Sequence, residues 1–261
     1  MKSIKINYII PNVITCINML LGFMSIIKSM QGEYLAAAWL ILIALIADGM
    51  DGKAARILNG FSEFGKELDS FSDAISFGLA PGILIYQVLT KEGFSKEIVF
   101  LVSFLYVLNS VLRLARFNIT TAPTKEKGDF MGMPTPTGAG LTSSFIVFSY
   151  TLIKIFNNSN IDISTSSPLL LGVFEIKGEM LLVPAFFLAM TIANSFFLIS
   201  NITYKSIPKA FNLNTKWKII IFAIVLFAYP PITLFLAGFT YFLVNNIRYF
   251  SNRILNKENP Q

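Results

Sequence analysis

Runs of apolar residues about the length of a bilayer crossing, separated by short polar breaks, organise the chain. They lie around Val13 to Met30, Tyr34 to Ala47, Ala74 to Leu89, Ile98 to Leu114, Gly138 to Ile155 and Met180 to Ile199. Each approaches the ~20 residues that a membrane helix needs. A last run, Trp217 to Ile247, is too long for one crossing and is interrupted by Pro230 and Pro231, which predicts two helices joined at the prolines. The pattern thus predicts an all-α integral membrane protein with eight transmembrane helices. Residues 1–203 would form the membrane core, and 204–261 a helix pair and tail of the same domain.

Composition agrees, with 54% hydrophobic and 14% charged residues among 261 and a mean hydropathy of +0.63. Placing both termini in the cytoplasm puts sixteen of the 21 lysines and arginines on that side, as the positive-inside bias requires. The net charge of +6 follows from this bias, so it argues for anionic lipid head groups and not for nucleic acid. The positive flank before Val13 is followed by no small-residue cleavage site, so the first helix is expected to be retained. Cys16 is the only cysteine; it rules out an intrachain disulfide and, in an apolar helix, reads as a packing residue.

Two connections are longer than the rest. Thr120 to Pro136 reads as a polar cytoplasmic loop, and Asn157 to Glu179 as an external one. Tyr204 to Lys218, with four lysines, reads as a positive-inside anchor or an interfacial turn.

One segment breaks the apolar pattern at a cost. Asp48, Asp51, Asp69 and Asp73 lie within DGMDGKAARILNGFSEFGKELDSFSD, and carboxylates at membrane depth mark function more often than packing. Asp48 and Asp51 are three apart, and Asp69 and Asp73 four apart, so each pair shares a helix face. Asn59 and Gly60 read as a helix end and Ser62 as the cap of the next helix, which makes the segment a helical hairpin. At about 1.5 Å per residue, Asp48 and Asp51 lie roughly 18 and 14 Å before Gly60, and Asp69 and Asp73 roughly 11 and 17 Å after Ser62. Asp48 should therefore approach Asp73, and Asp51 should approach Asp69.

Four converging carboxylates repel unless protons or cations compensate them. In a chain without histidine, all-oxygen ligation suits Mg²⁺ or Mn²⁺, with two ions bridged by the four side chains. Gly52 and Gly65 clear space for close approach, and Arg56, about one and a half turns beyond Asp51, is positioned for a phosphate. A cation pathway or proton relay would also use such acids, but it leaves these glycines and Arg56 unexplained.

Read together, D-x-x-D-G-x-x-A-R, eight residues, then G-x-x-x-D-x-x-x-D resembles the signature of the CDP-alcohol phosphotransferase family. Asp48, Asp51, Gly52, Ala55, Arg56, Gly65, Asp69 and Asp73 fill its positions. The resemblance implies a six-helix membrane core, usually dimeric, that binds two divalent ions and a CDP-linked lipid or alcohol. The helix pair after residue 204 would lie outside that core. Asp48, Asp51 and Asp69 would hold the first ion, with Asp69 and Asp73 leaning to the second. Gly52, Ala55, Arg56, Ser62 and Gly65 would hold the CDP-lipid, and Asp73 would serve as general base. PNVITCIN, SFGLAP, LRLARFN and FMGMPTPTGAG, between residues 11 and 140, resemble the serine-using membrane branch of the family. That branch implies CDP-diacylglycerol as donor and L-serine as acceptor; glycerol 3-phosphate, inositol phosphate and choline remain alternatives. Arg113 and Arg116 are candidates for a carboxylate or phosphate, with charge anchoring as the plain alternative. Of the polar residues Asn12, Thr15 and Asn18 on the first helix, Asn18 reads as the one facing the site. Pro134 and Pro136 stiffen the entry to the fifth helix, while Gly138 and Gly140 permit close packing.

Overall fold

The computed structural model describes residues 6–120, 130–158, 182–206, 210–211 and 215–258. Helix α1 spans Ile6–Met30 and α2 Tyr34–Ile57; α3, Glu63–Asp73, continues through a π-helical turn, Ala74–Leu79, into α4, Ala80–Lys91. Then follow α5, Lys96–Thr120, α6, Thr135–Asn158, α7, Leu182–Ile199, α8, Lys216–Ala228, and α9, Pro230–Glu258. Among the described residues, four segments are long and apolar enough to cross a membrane: Asn7–Met30, Tyr34–Ile57, Glu63–Lys91 and Lys96–Ile119. The result is an all-α membrane architecture in which the acidic hairpin is made of the end of one such segment and the start of the next.

Local chemistry sets the hairpin turn. Asn59 takes φ 49°, and the Gly60 amide donates to the Ala55 carbonyl at 2.9 Å, a left-handed close that satisfies the last carbonyls of α2. Ser62 then accepts the Gly65 amide at 2.9 Å and starts α3. A Cβ on Gly60 would overlap the Asn7 carbonyl, so only glycine lets the turn sit against the start of α1.

The π-helical turn has an equally local cause. Pro81 has no amide hydrogen, so the carbonyl four residues earlier, Phe77, loses its α-helical donor. That carbonyl accepts the buried Tyr106 hydroxyl of α5 at 3.3 Å. On its other side the turn is stitched to α1, where Ser72 Oγ donates to the Thr15 carbonyl and Ser76 Oγ to the Asn18 carbonyl.

Helices α6, α7 and α9 meet around Phe145, whose ring lies 5.2 Å from Phe187 and 5.3 Å from Phe235. In lipid such contacts hold helices by packing, because apolar burial gains nothing over the acyl chains. Gly138 and Gly140 pack as expected. A Cβ on Gly138 would lie 2.9 Å from Asn194 Oδ1 of α7, and one on Gly140 3.0 Å from Leu45 Cδ1 of α2.

The structure corrects two expectations and moves one. The apolar periodicity gave no sign of a two-stranded ribbon, β1 Phe130–Met131 against β2 Thr203–Tyr204, with Phe130 opposite Tyr204. Tyr204 is accordingly buried and not at an interface: it exchanges hydrogen bonds with Asn246 of α9, while the Lys205 amide donates to Asn245 Oδ1 at 3.0 Å. Cys16 is exposed on the outer face of α1 instead of packing within the bundle. The helix pair α8 and α9 lies against the rest of the bundle, with α9 along α6. Most of the two long connections, 121–129 and 159–181, lies outside the described residues.

Candidate metal and substrate site

Helix α2 brings Asp48 and Asp51 to one face, and α3 brings Asp69 and Asp73 to the facing side. The two helices make little direct contact; each packs on α1 instead, which leaves a cleft between them with α1 as its floor. One carboxylate oxygen from each of Asp48, Asp51 and Asp69 lies within 4.8 Å of the others. Asp48 and Asp73 face each other within hydrogen-bonding reach. The cross-pairing is therefore that read from the two hairpin arms.

Two features suit this cluster to a cation. No aspartate of the four forms a salt bridge among the described residues. Asp69 Oδ1 and Asp73 Oδ1 are buried with no hydrogen-bond partner. Buried unpaired carboxylate oxygens are costly, and hard oxygen donors converging at this spacing fit a divalent cation of the Mg²⁺ or Mn²⁺ kind. Asp51 has a partner: Thr15 Oγ1 of α1 lies 2.9 Å from Asp51 Oδ2, which fixes that carboxylate's rotamer.

The cleft encloses about 180 Å³ and is lined by Thr15, Asp51, Gly52, Ala55, Ser62, Gly65 and Asp69, with Pro11, Asn12 and Lys66 beside them. Gly52 leaves its wall open, since a Cβ there would meet only the Arg56 guanidinium at 3.9 Å. Arg56 folds back along α2, its Nε donating to the Gly52 carbonyl at 2.8 Å, and remains exposed at the mouth. At Gly65 a Cβ would press on Asn12 Oδ1 at 2.9 Å and Ser62 Oγ at 3.0 Å, so this wall has no spare room.

The two arginines of α5 diverge. Arg113 is 6% exposed, donates from one terminal nitrogen to Thr135 Oγ1 at 2.9 Å, keeps Nε buried without a partner, and interacts electrostatically with Asp73. Arg116 points to the ribbon, where it donates to the carbonyls of Met131, Ile199 and Ser200. Three residues of separation left them sharing a face by spacing, but the carbonyls that end α7 capture the second. On α1, Thr15 and Asn12 border the cleft. Asn18, expected to be the one facing it, does not line it; its amide is fully buried with neither polar atom partnered, and its carbonyl holds Ser76.

The residues missed by sequence reasoning are Ser72, Ser76 and Tyr106, which hold the π turn behind Asp73. A signal for the α1 contacts existed. Pro11, Thr15, Asn18, Gly22, Ser25 and Ser29 recur at helical spacing and form the buried small and polar stripe of α1.

The family model described as CDP-alcohol phosphatidyltransferase matches residues 8–164. A CDP-diacylglycerol–serine O-phosphatidyltransferase of Helicobacter pylori is 31% identical over 220 residues, which cover 84% of this chain and 79% of that protein. The protein of the same name from a second strain is 41% identical over 135 residues, 51% of this chain and 55% of that one. An archaetidylserine synthase of Methanothermobacter thermautotrophicus is 38% identical over 151 residues, 57% of this chain and 62% of its own length.

Proposed function

Because this chain belongs to the CDP-alcohol phosphatidyltransferase family, we propose that it transfers a phosphatidyl group from CDP-diacylglycerol to L-serine, giving phosphatidylserine and CMP. The observation that carries this reading is the convergence of Asp48, Asp51 and Asp69, with Asp73 facing Asp48, beside a narrow cleft walled by Gly52, Ala55 and Gly65. Relatives named for serine transfer supply the acceptor. Serine's hydroxyl oxygen forms a bond to the phosphatidyl phosphorus, the anhydride bond to CMP breaks, and the hydroxyl proton passes to the Asp73 carboxylate. With no histidine in the chain, a carboxylate is the natural base at this depth.

Asp48, Asp51, Asp69 and Asp73 would hold two divalent ions, which when bound offset the carboxylate charge and polarise the phosphoanhydride. Thr15 keeps Asp51 turned toward that cluster. Arg56, at the mouth beside the open wall of Gly52, takes the pyrophosphate, and Ser62 with Gly65 shapes the opposite wall for the cytidine end. Arg113 supplies the acceptor's anion site, since its unpaired Nε and its closeness to Asp73 suit a bound serine carboxylate next to the base. Arg116 braces the ribbon that follows. The protein crosses the cell membrane eight times as a homodimer, with both termini and the cleft mouth, beside Arg56 and Lys66, facing the cytoplasm.

The test is CMP release by purified protein from CDP-diacylglycerol offered with each alcohol in turn. Serine-dependent release supports the reading. Release that ignores serine but responds to glycerol 3-phosphate or inositol phosphate moves the protein to another branch of the family.

A further inference from the structure

A second cavity lies between α2, α6, α9 and the α8 region. It encloses about 330 Å³, near the lower end of small-molecule sites. Its wall includes Leu45 of α2, Gly140 of α6, Phe211, Phe222 and Leu226 of the α8 region, and Gly238 of α9. Among the described residues, polar side chains reach it only from Thr137, Ser144 and Tyr241, and none of its described lining residues is charged. It is unlike the cleft, and a nucleotide or an amino acid would find no counter-charge there.

Two elements run from the acids to this chamber. On α2, Leu45 lies three residues before Asp48 and Leu42 one turn further, so the chamber begins about 5 Å deeper in the helix than the carboxylates. On α6, Pro136 of the chamber adjoins Thr135, the partner of Arg113. The outer wall comes from α8 and α9, beyond the family match, which ends at residue 164.

We infer that this chamber takes one acyl chain of the lipid donor, and that α8 and α9 thereby gauge its length. This rests on the proposed phosphatidyl transfer. The acids hold the phosphate end, and a chain leaving it toward the bilayer centre passes Leu45 and Leu42 into an apolar space of matching chemistry. Gly238 sets its width: a Cβ there would meet only Leu141, at 3.7 Å and beyond, so a larger side chain is accommodated at the expense of the chamber.

The experiment compares dihexanoyl and dipalmitoyl CDP-diacylglycerol on the full-length protein and on Gly238→Leu. Excluding a few methylenes from an apolar site should lower kcat/KM for the dipalmitoyl donor about tenfold or more and leave the dihexanoyl donor within about twofold. An equal loss for both donors, or none for either, overturns the gauge. On the unaltered protein, a donor with a diazirine at its acyl terminus should label residues of α8 or α9, and unlabelled CDP-diacylglycerol should compete where phosphatidylcholine does not. Labelling confined to α1 and α3, or equal competition by phosphatidylcholine, also overturns it. Serine-dependent CMP release from either donor separates the two ideas. If it is present without chain dependence, the chamber fails alone; if it is absent with both donors, phosphatidyl transfer fails and the gauge with it.

Discussion

The cleft between α2 and α3 and the ribbon fastened to α9 are both polar places in an apolar protein, yet they treat their polar atoms in opposite ways. At the ribbon, Tyr204 exchanges hydrogen bonds with Asn246, Asn245 takes the Lys205 amide, and Arg116 is spent on three carbonyls. At the aspartate cluster, Asp69 Oδ1, Asp73 Oδ1 and the nearby Arg113 Nε are buried without a hydrogen-bond partner among the described residues. Satisfied polar groups lock a fold, while a cluster of buried unpaired carboxylates is costly unless a cation or proton compensates it.

The sharpest way to break this contrast is at its centre. Asp73→Asn should lower kcat by roughly 10²–10⁴, the range for loss of a general base, yet leave the melting temperature of the protein, measured without divalent ions, unchanged or higher. Removing a carboxylate from a repelling cluster relieves strain. A large loss of stability in that variant would place Asp73 with the structural polar groups. Arg113→Lys comes next: it keeps the charge but loses the planar fork, so KM for serine should rise about tenfold or more with KM for CDP-diacylglycerol little changed. A parallel rise in both would mean that Arg113 anchors the helix and not the acceptor.

At the ribbon the expectation reverses. Asn246→Ala strips Tyr204 of its partner and should cost about 1–3 kcal/mol of stability, read as a lowered melting temperature. The kcat per folded molecule should stay within about twofold if the ribbon is structural. The smallest effect belongs to the hairpin turn. Ser62→Ala removes the cap of α3 and should cost about 1 kcal/mol, with a modest rise in KM for the CDP-lipid. An unchanged KM would detach Ser62 from substrate binding.

Much of the cleft was legible in the sequence because its logic is local. Spacing put each acid pair on a face, Asn59, Gly60 and Ser62 announced the turn, and equal arm lengths matched the depths of the pairs. The long apolar runs announced the membrane in the same way. Long-range pairing had no such signal. Two-residue strands such as Phe130–Met131 and Thr203–Tyr204 carry no periodicity, and their pairing depends on α7 returning to the end of α5. The fate of Arg116 was hidden for that reason, since nothing in LRLARFN reveals the carbonyls 83 and 84 residues away. The π turn was half legible: Pro81 was visible, but the Tyr106 hydroxyl that accepts its consequence comes from another helix. Asn18 was chosen over Thr15 because helix phase relative to α2 cannot be fixed from α1 alone.

The central claim is that the four aspartates form a divalent-cation site serving phosphatidyl transfer to serine. It is tested most directly by following labelled serine into phosphatidylserine with CDP-diacylglycerol, before and after chelation and restoration of Mg²⁺ or Mn²⁺, in the unaltered protein and in Asp69→Asn. The account predicts incorporation that disappears on chelation, returns with the ion, and is missing from Asp69→Asn at every ion concentration where the unaltered protein is saturated. Serine incorporation that survives both chelation and the Asp69 substitution would contradict it.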